Sequence, residues 1–245
     1  MGAAAIDALN RLSPAEIAAR LSGSRAEVAA FVREAAEAGS AEAQARFGQM
    51  LLDGDGVAKD EAQGFGWFMR AARAGHLEAA NMIGRCYDLG WGVPVDKTVA
   101  AAWYKRAAER GLVWAMYNYA TLLALGHGVP QDRAYALALF RRAAAAGNAK
   151  AMNFVGSFHE DGWVVACDMV EAARWYREAA EGGDFRGQFN HARMLIANDA
   201  VPAALPWLAS AWTGGNARFR GQVLAWIEDQ PAALRKAVKS AIDSQ

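Results

Sequence analysis

GHLEAANMIGRCYDLGWGVPVDKTVAAAWYKRAAERG, the run from Gly75 to Gly111, holds one copy of the pattern that decides the fold. Its two ends belong to a series: Gly39, Gly75, Gly111, Gly147 and Gly183 follow one another at intervals of 36 residues. A constant period of this length marks stacked helical units, none of which can bury its apolar face alone.

The interior of the run repeats as well. Gly90-Trp91-Gly92-Val93 recurs as Gly54-Asp55-Gly56-Val57 and Gly126-His127-Gly128-Val129, and decays to Gly162-Trp163-Val164-Val165. An aspartate follows each in register: Asp60, Asp96, Asp132 and Asp168. Trp103-Tyr104 matches Trp67-Phe68, Leu139-Phe140 and Trp175-Tyr176, and Ala107-Ala108 matches Ala71-Ala72, Ala143-Ala144 and Ala179-Ala180. Gly84 shares its position with Gly48, Ala120 and Gly156.

One unit therefore reads as two helices. The spacing predicts a first helix over 42–52, stopped by the Gly-x-Gly, because glycine enters the left-handed region without a Cβ penalty. The aspartate then caps a second helix by accepting a bond from a free backbone N–H. That helix carries the aromatic pair and the alanine pair and ends at the repeat glycine. The alanines allow close backbone approach, and the aromatics fill the space between units. Trp103 and Trp175 are expected to be largely buried there.

These motifs resemble the Sel1-like repeat, a relative of the tetratricopeptide repeat, most strongly over 39–183. The resemblance implies an all-α, right-handed α-solenoid that serves as a noncatalytic adaptor or scaffold. Residues 1–38 read as N-terminal helices with an incomplete repeat, 39–182 as four repeats, and 183–245 as worn repeats with capping helices. Ser24 with Glu27 forms a capping box, and Ser13-Pro14 another helix start. Around 197–202 four residues are missing from the register, and Pro231 opens the last helix.

Composition narrows the partners. Lysine plus arginine equal aspartate plus glutamate, 26 against 26, so no basic excess points to nucleic acid. No apolar run approaches the roughly 18 residues that span a bilayer, and the N-terminal residues lack a secretory pattern. The expected partner is a protein or peptide. Two cysteines give no disulfide framework; Cys86 reads as core, Cys167 as a loop thiol, and the compartment as reducing and cytoplasmic. No cofactor and no metal site are expected, since the four histidines fall at four different repeat positions. An enzymatic reading would place its polar site at His159, Glu160 and Asp161; the other reading of that run is a solvated helix end. Self-association is a third possibility.

A binding face can be read from the first helices. Counted from the repeat glycine, offsets +3, +6, +10 and +13 form one stripe. It contributes Asn81, Arg85 and Asp88, then Trp114 and Tyr117, then Lys150 and Asn153, then Arg186, Phe189 and Arg193. These positions vary between units while the packing positions do not, and arginines and aromatics anchor interfaces. Trp114 is open to two readings, anchor or helix packing. Arg85, Asn153 and Arg193 are expected at the surface, the two arginines offering guanidinium forks to an acidic or C-terminal peptide. A second strip is formed by the loop residues Trp91, His127 and Trp163, unless each ring folds back on its neighbours.

Overall fold

The computed structural model describes residues 13–243, which contain α-helices and no strand. The chain divides into two compact units, Met1–Gln131 and Asp132–Gln245. The first contains α1 (Pro14–Leu21), α2 (Arg25–Glu37), α3 (Ala41–Asp53), α4 (Glu61–Arg73), α5 (Leu77–Leu89), α6 (Lys97–Glu109) and α7 (Val113–Leu125). The second contains α8 (Arg133–Ala145), α9 (Ala149–Asp161), α10 (Met169–Glu181), α11 (Phe185–Ala197), α12 (Val201–Gly214), α13 (Ala217–Glu228) and α14 (Ala232–Asp243). From α1 to α7, and again from α8 to α12, each helix packs on the next, and α14 returns to α12.

The punctuation follows from side-chain chemistry. Asp60, Asp96, Asp132 and Asp168 each accept a backbone N–H as the N-cap of α4, α6, α8 and α10. Gly54, Gly90, Gly126 and Gly162 end α3, α5, α7 and α9 in the left-handed conformation. Both Ser13 and Ser24 form capping boxes, with Glu16 and Glu27. Between α11 and α12 the shortened register leaves a three-residue link, 198–200, with Asp199 at φ +57°.

Inside each unit the core is built from the second member of each aromatic pair. Phe68, Tyr104, Phe140 and Tyr176 are completely buried. Trp103 and Trp175, expected inside, are only half-buried. Successive helical residues point about 100° apart, so only one of a pair can face inward. The tryptophans lie at the edge under arginines: Arg106 over Trp103 at 5.2 Å and Arg174 over Trp175 at 4.4 Å. Cys86 is buried, which pushes its thiol up to about 12, whereas Cys167 is exposed. The second unit ends in a cluster of Leu208, Phe219, Val223, Ile227 and Val238.

One loop departs from the pattern. Where three loops place glycine at φ near +70°, the fourth places Val164, at φ +56°. A β-branched residue there is strained by about 1–3 kcal/mol. Val164 is 55% exposed, so little packing is lost on truncation. Val164→Gly is expected to raise stability by about 1 kcal/mol, strain relief exceeding the entropy that glycine adds to the unfolded chain. A thermal melt with no gain would show that the strain is absent.

Asp184 caps α11 from a buried position, its Oδ2 accepting the Gly187 N–H at 2.9 Å. Burial raises its carboxyl above the ordinary value; the Gly187 bond and the charges of Arg186 and Lys150 pull the other way but do not cancel it. The folded state therefore holds this proton more tightly than the unfolded one. Its contribution to stability is greatest below the unfolded carboxyl range and declines as pH rises to the raised folded value. Asn148 occupies the same register position, buried, and caps α9 with a neutral Oδ1 at 2.9 Å from the Ala151 N–H. Asp184→Asn should melt higher than the parent chain at pH 7, with the difference shrinking towards pH 4. A constant difference across that range would contradict the assignment.

Candidate functional site

The predicted stripe falls partly in each unit. In the first, Asn81 at offset +6 of α5 is only 8% exposed. Its Oδ1 accepts from Asn118 Nδ2 of α7 at 2.9 Å. Arg85 lies over the Trp91 ring at 4.6 Å and is half-buried. Asp88 is engaged by the Lys97 ammonium and accepts from the Tyr104 hydroxyl at 3.4 Å. One repeat further along the array, Trp114 is 50% exposed, with Tyr117 edge-on at 6.2 Å between ring centres.

The second unit repeats this plan. Asn153 is 6% exposed and accepts from Asn190 Nδ2 at 2.9 Å. Arg193 donates to Asn190 Oδ1 at 3.0 Å and to Glu160 Oε1 at 2.7 Å. The other oxygen of Glu160 accepts from the Tyr176 hydroxyl at 2.6 Å. Burial and the neighbouring carboxylate hold that hydroxyl far above the ordinary tyrosine value. Arg186 is exposed over the Phe185 ring, and Lys150 is half-buried. Phe189 packs edge-on against Phe219 and Trp226, at 5.7 and 5.2 Å.

Several expectations change accordingly. Asn153, expected at the surface, is buried like Asn81, because each carbonyl is used to join two first helices. Arg193 does not present an open fork; Glu160 and Asn190 already occupy it. Arg85 lies over an indole. In the loop strip His127 is exposed, but Trp91 and Trp163 fold back. Trp163 sits edge-on to Phe158 at 5.6 Å with Arg133 over its face at 4.4 Å. A ring that stacks under an arginine gains more than one standing in water.

The partners in these networks were not named from the sequence, yet a signal for them exists. The inner aromatic alternates Phe68, Tyr104, Phe140, Tyr176, while offset +13 alternates Leu52, Asp88, Ala124, Glu160. Each tyrosine coincides with a carboxylate and each phenylalanine with an apolar residue, since a buried hydroxyl needs an acceptor. The asparagine pairs follow the same two-unit period: 81 with 118, then 153 with 190.

At the run considered for catalysis, the three side chains have different surroundings. His159 Nε2 lies 3.4 Å from an Arg141 guanidinium nitrogen, Glu160 joins Tyr176 and Arg193, and Asp161 is exposed. Among the described residues no three His, Cys, Asp or Glu side chains gather as metal ligands. No described helix is long and apolar enough to cross a membrane.

Helix pairs in a 36-residue register, joined by inter-helix amide pairs, define a helical-repeat protein. The Sel1 repeat model matches residues 41–76, 77–112, 115–148 and 149–184, and the chain belongs to the Sel1 repeat family. Among solved structures it is 26% identical, with a TM-score of 0.70, to a protective antigen of uropathogenic Escherichia coli displaying an SLR fold. That match covers 96% of this chain and 53% of the other, so the chain spans about half the length of the antigen. A Sel1 repeat protein from Oxalobacter formigenes is 24% identical, with a TM-score of 0.71 over 90% of this chain and 100% of the other. A putative Sel1 repeat protein from Klebsiella pneumoniae is 18% identical, with a TM-score of 0.52 over 76% and 93%. No curated protein matches the chain. Repeats of this family in general mediate protein–protein interaction and are noncatalytic.

Proposed function

We propose that this protein is a noncatalytic adaptor that holds a peptide or protein partner against its first-helix stripe. The observation that carries the reading is Trp114, half-exposed beside Tyr117 on a stripe whose composition varies while the packing frame is constant. A large, rigid aromatic is the residue type that anchors interfaces. The Asn81–Asn118 bond holds α7, which carries Trp114, against α5 and so fixes where the anchor stands. In the second unit Arg186 and Lys150 supply positive charge. An acidic partner gains little from Arg193, because it must displace Glu160 first. The balanced charge supports a protein partner over nucleic acid or a membrane, and two free cysteines suit a reducing compartment such as the cytoplasm.

Affinity capture from native cell extract tests this. The bait is the whole chain, with a Trp114→Ala/Tyr117→Ala variant of unchanged melting temperature as control. A protein retained by the parent chain and lost with the variant supports the stripe. Equal retention by both removes it. Concentration-dependent light scattering of the bait alone would favour self-association instead.

A further inference from the structure

A second surface of the first unit carries a different chemistry. Between α4, α5 and α6 lies a cavity of about 210 Å³. Ala72, Leu77 and Trp103 give it an apolar floor, and Arg106 and Arg110 border it. None of these residues belongs to the stripe. Trp103, Arg106 and Arg110 stand at i, i+3 and i+7 along α6 and its C-cap, hence on one face.

The two guanidiniums are uncompensated. Arg106 lies over the Trp103 ring at 5.2 Å, and Arg110 Nη1 reaches the Gly75 carbonyl oxygen at 3.5 Å. Neither pairs with a carboxylate among the described residues. Glu109, the acid at the rim, lies 3.9 Å from the Lys105 ammonium. His76, also at the rim, is committed elsewhere. Its Nδ1 accepts the Ala79 N–H at 3.2 Å and has the Glu78 carboxylate 3.5 Å away, and its Nε2 faces the Glu42 carboxylate at 2.9 Å.

The repeat supplies its own control. The same three register positions hold Trp67, Arg70 and Ala74 in the first repeat, Leu139, Arg142 and Ala146 in the third, and Trp175, Glu178 and Gly182 in the fourth. Packing therefore asks for an aromatic or leucine at the first position and for nothing particular at the other two. Only the second repeat combines an indole with two arginines.

We propose that this cavity binds a small carboxylate with a flat apolar body. The body lies on Trp103, Ala72 and Leu77, and the carboxylate accepts charge-assisted bonds from Arg106 and Arg110, whose planar forks match its geometry. A few charged groups over an apolar floor are the usual make-up of a small-ligand site. The carboxylate belongs either to a free aromatic acid or to the C-terminal aromatic residue of a polypeptide.

The test is an NMR titration of the ¹⁵N-labelled full chain, following the Trp103 indole N–H, assigned with Trp103→Phe. Benzoate and N-acetylphenylalanine are the probes; benzamide and N-acetylphenylalaninamide are their uncharged counterparts. Saturable shifts are expected with the acids and not with the amides. Tighter binding of benzoate points to a free acid, and tighter binding of N-acetylphenylalanine to a polypeptide terminus. Arg106→Gln/Arg110→Gln should weaken binding by about tenfold or more, with melting unchanged. Arg110→Lys keeps the charge without the fork and should show a smaller loss, which stays readable if the double variant folds poorly. Linear shifts with all four probes, equal response to the amides, or undiminished binding by the variants would overturn the proposal. Trp114 takes no part in this titration, so its failure leaves the stripe reading standing.

Discussion

Tyr176→Ala is expected to cost about 3–5 kcal/mol of stability, while Trp175→Ala costs only about 1 kcal/mol. The two residues are adjacent in sequence and similar in hydrophobicity, so the contrast reports which one faces inward. The Tyr176 ring is 1% exposed and lies against Gly156, where an added Cβ would sit 2.7 Å from ring carbons. Removing it opens a cavity between α9 and α10 and deprives Glu160 of its hydroxyl donor. Because a repeat contacts mainly its neighbours, the damage should reach α11 as well, lowering the cooperativity of unfolding. Trp175 loses less: its outer face touches the Arg174 guanidinium, and its indole N–H donates to Glu171 at 3.0 Å near the surface. Tyr176→Phe separates the two contributions at Tyr176. It keeps the ring and removes the hydroxyl, and should cost about 1–2 kcal/mol. Urea unfolding of the full chain measures all three. A larger loss for Trp175→Ala than for Tyr176→Ala would mean that the register is off by one residue.

The helix pairs and their ends were readable because each is written in local chemistry. A glycine with positive φ, an aspartate three residues ahead of a free N–H and a capping box act within one turn, and 36-residue recurrence multiplies the signal. The facing of the aromatic pair was not readable in the same way. Trp103 and Tyr104 carry comparable apolar surface, and only the coincidence of Tyr104 with Asp88, and of Tyr176 with Glu160, distinguishes the inner member. That coincidence recurs only in every second repeat, so a consensus taken over all four units averages it away.

The stripe was misread for a related reason. Asn153 was expected at the surface, but it and Asn81, both at offset +6, turn to meet Asn190 and Asn118 of the next first helix. The contact partner lies 37 residues away, one more than the repeat, and so stands at a different offset. A buried amide pair of this kind must be satisfied on both sides, which disfavours a slip of one helix past the next. In unit two the chain of bonds continues through Arg193 to Glu160 and Tyr176. The arginine that looked free for an acidic ligand is thus a structural tie, and the aromatic residues Trp114 and Tyr117 become the stronger candidates for contact.

Gly92→Val is expected to be among the most damaging loop substitutions, at roughly 3–5 kcal/mol. Two costs act together. Gly92 has φ +70°, a conformation in which a β-branched residue is strained. An added Cβ would also lie 2.2 Å from the Glu61 carbonyl oxygen and 2.7 Å from the Ala62 nitrogen. Both are backbone atoms at the start of α4, so no side-chain rotation relieves the contact; the loop and the preceding repeat must separate. Val164 shows that the first cost alone is tolerable, since it holds a left-handed φ while remaining 55% exposed. Gly66 provides the opposite case. It lies within α4, exposed, with no atom within 4 Å of an added Cβ. Gly66→Ala should therefore stabilise the chain by about 0.5–1 kcal/mol through helix propensity. Urea unfolding of both variants decides the matter. If Gly92→Val falls within about 1 kcal/mol of the parent chain, the loop is not held against α4, and the Gly-x-Gly motif serves only to end a helix rather than to space one repeat from the next.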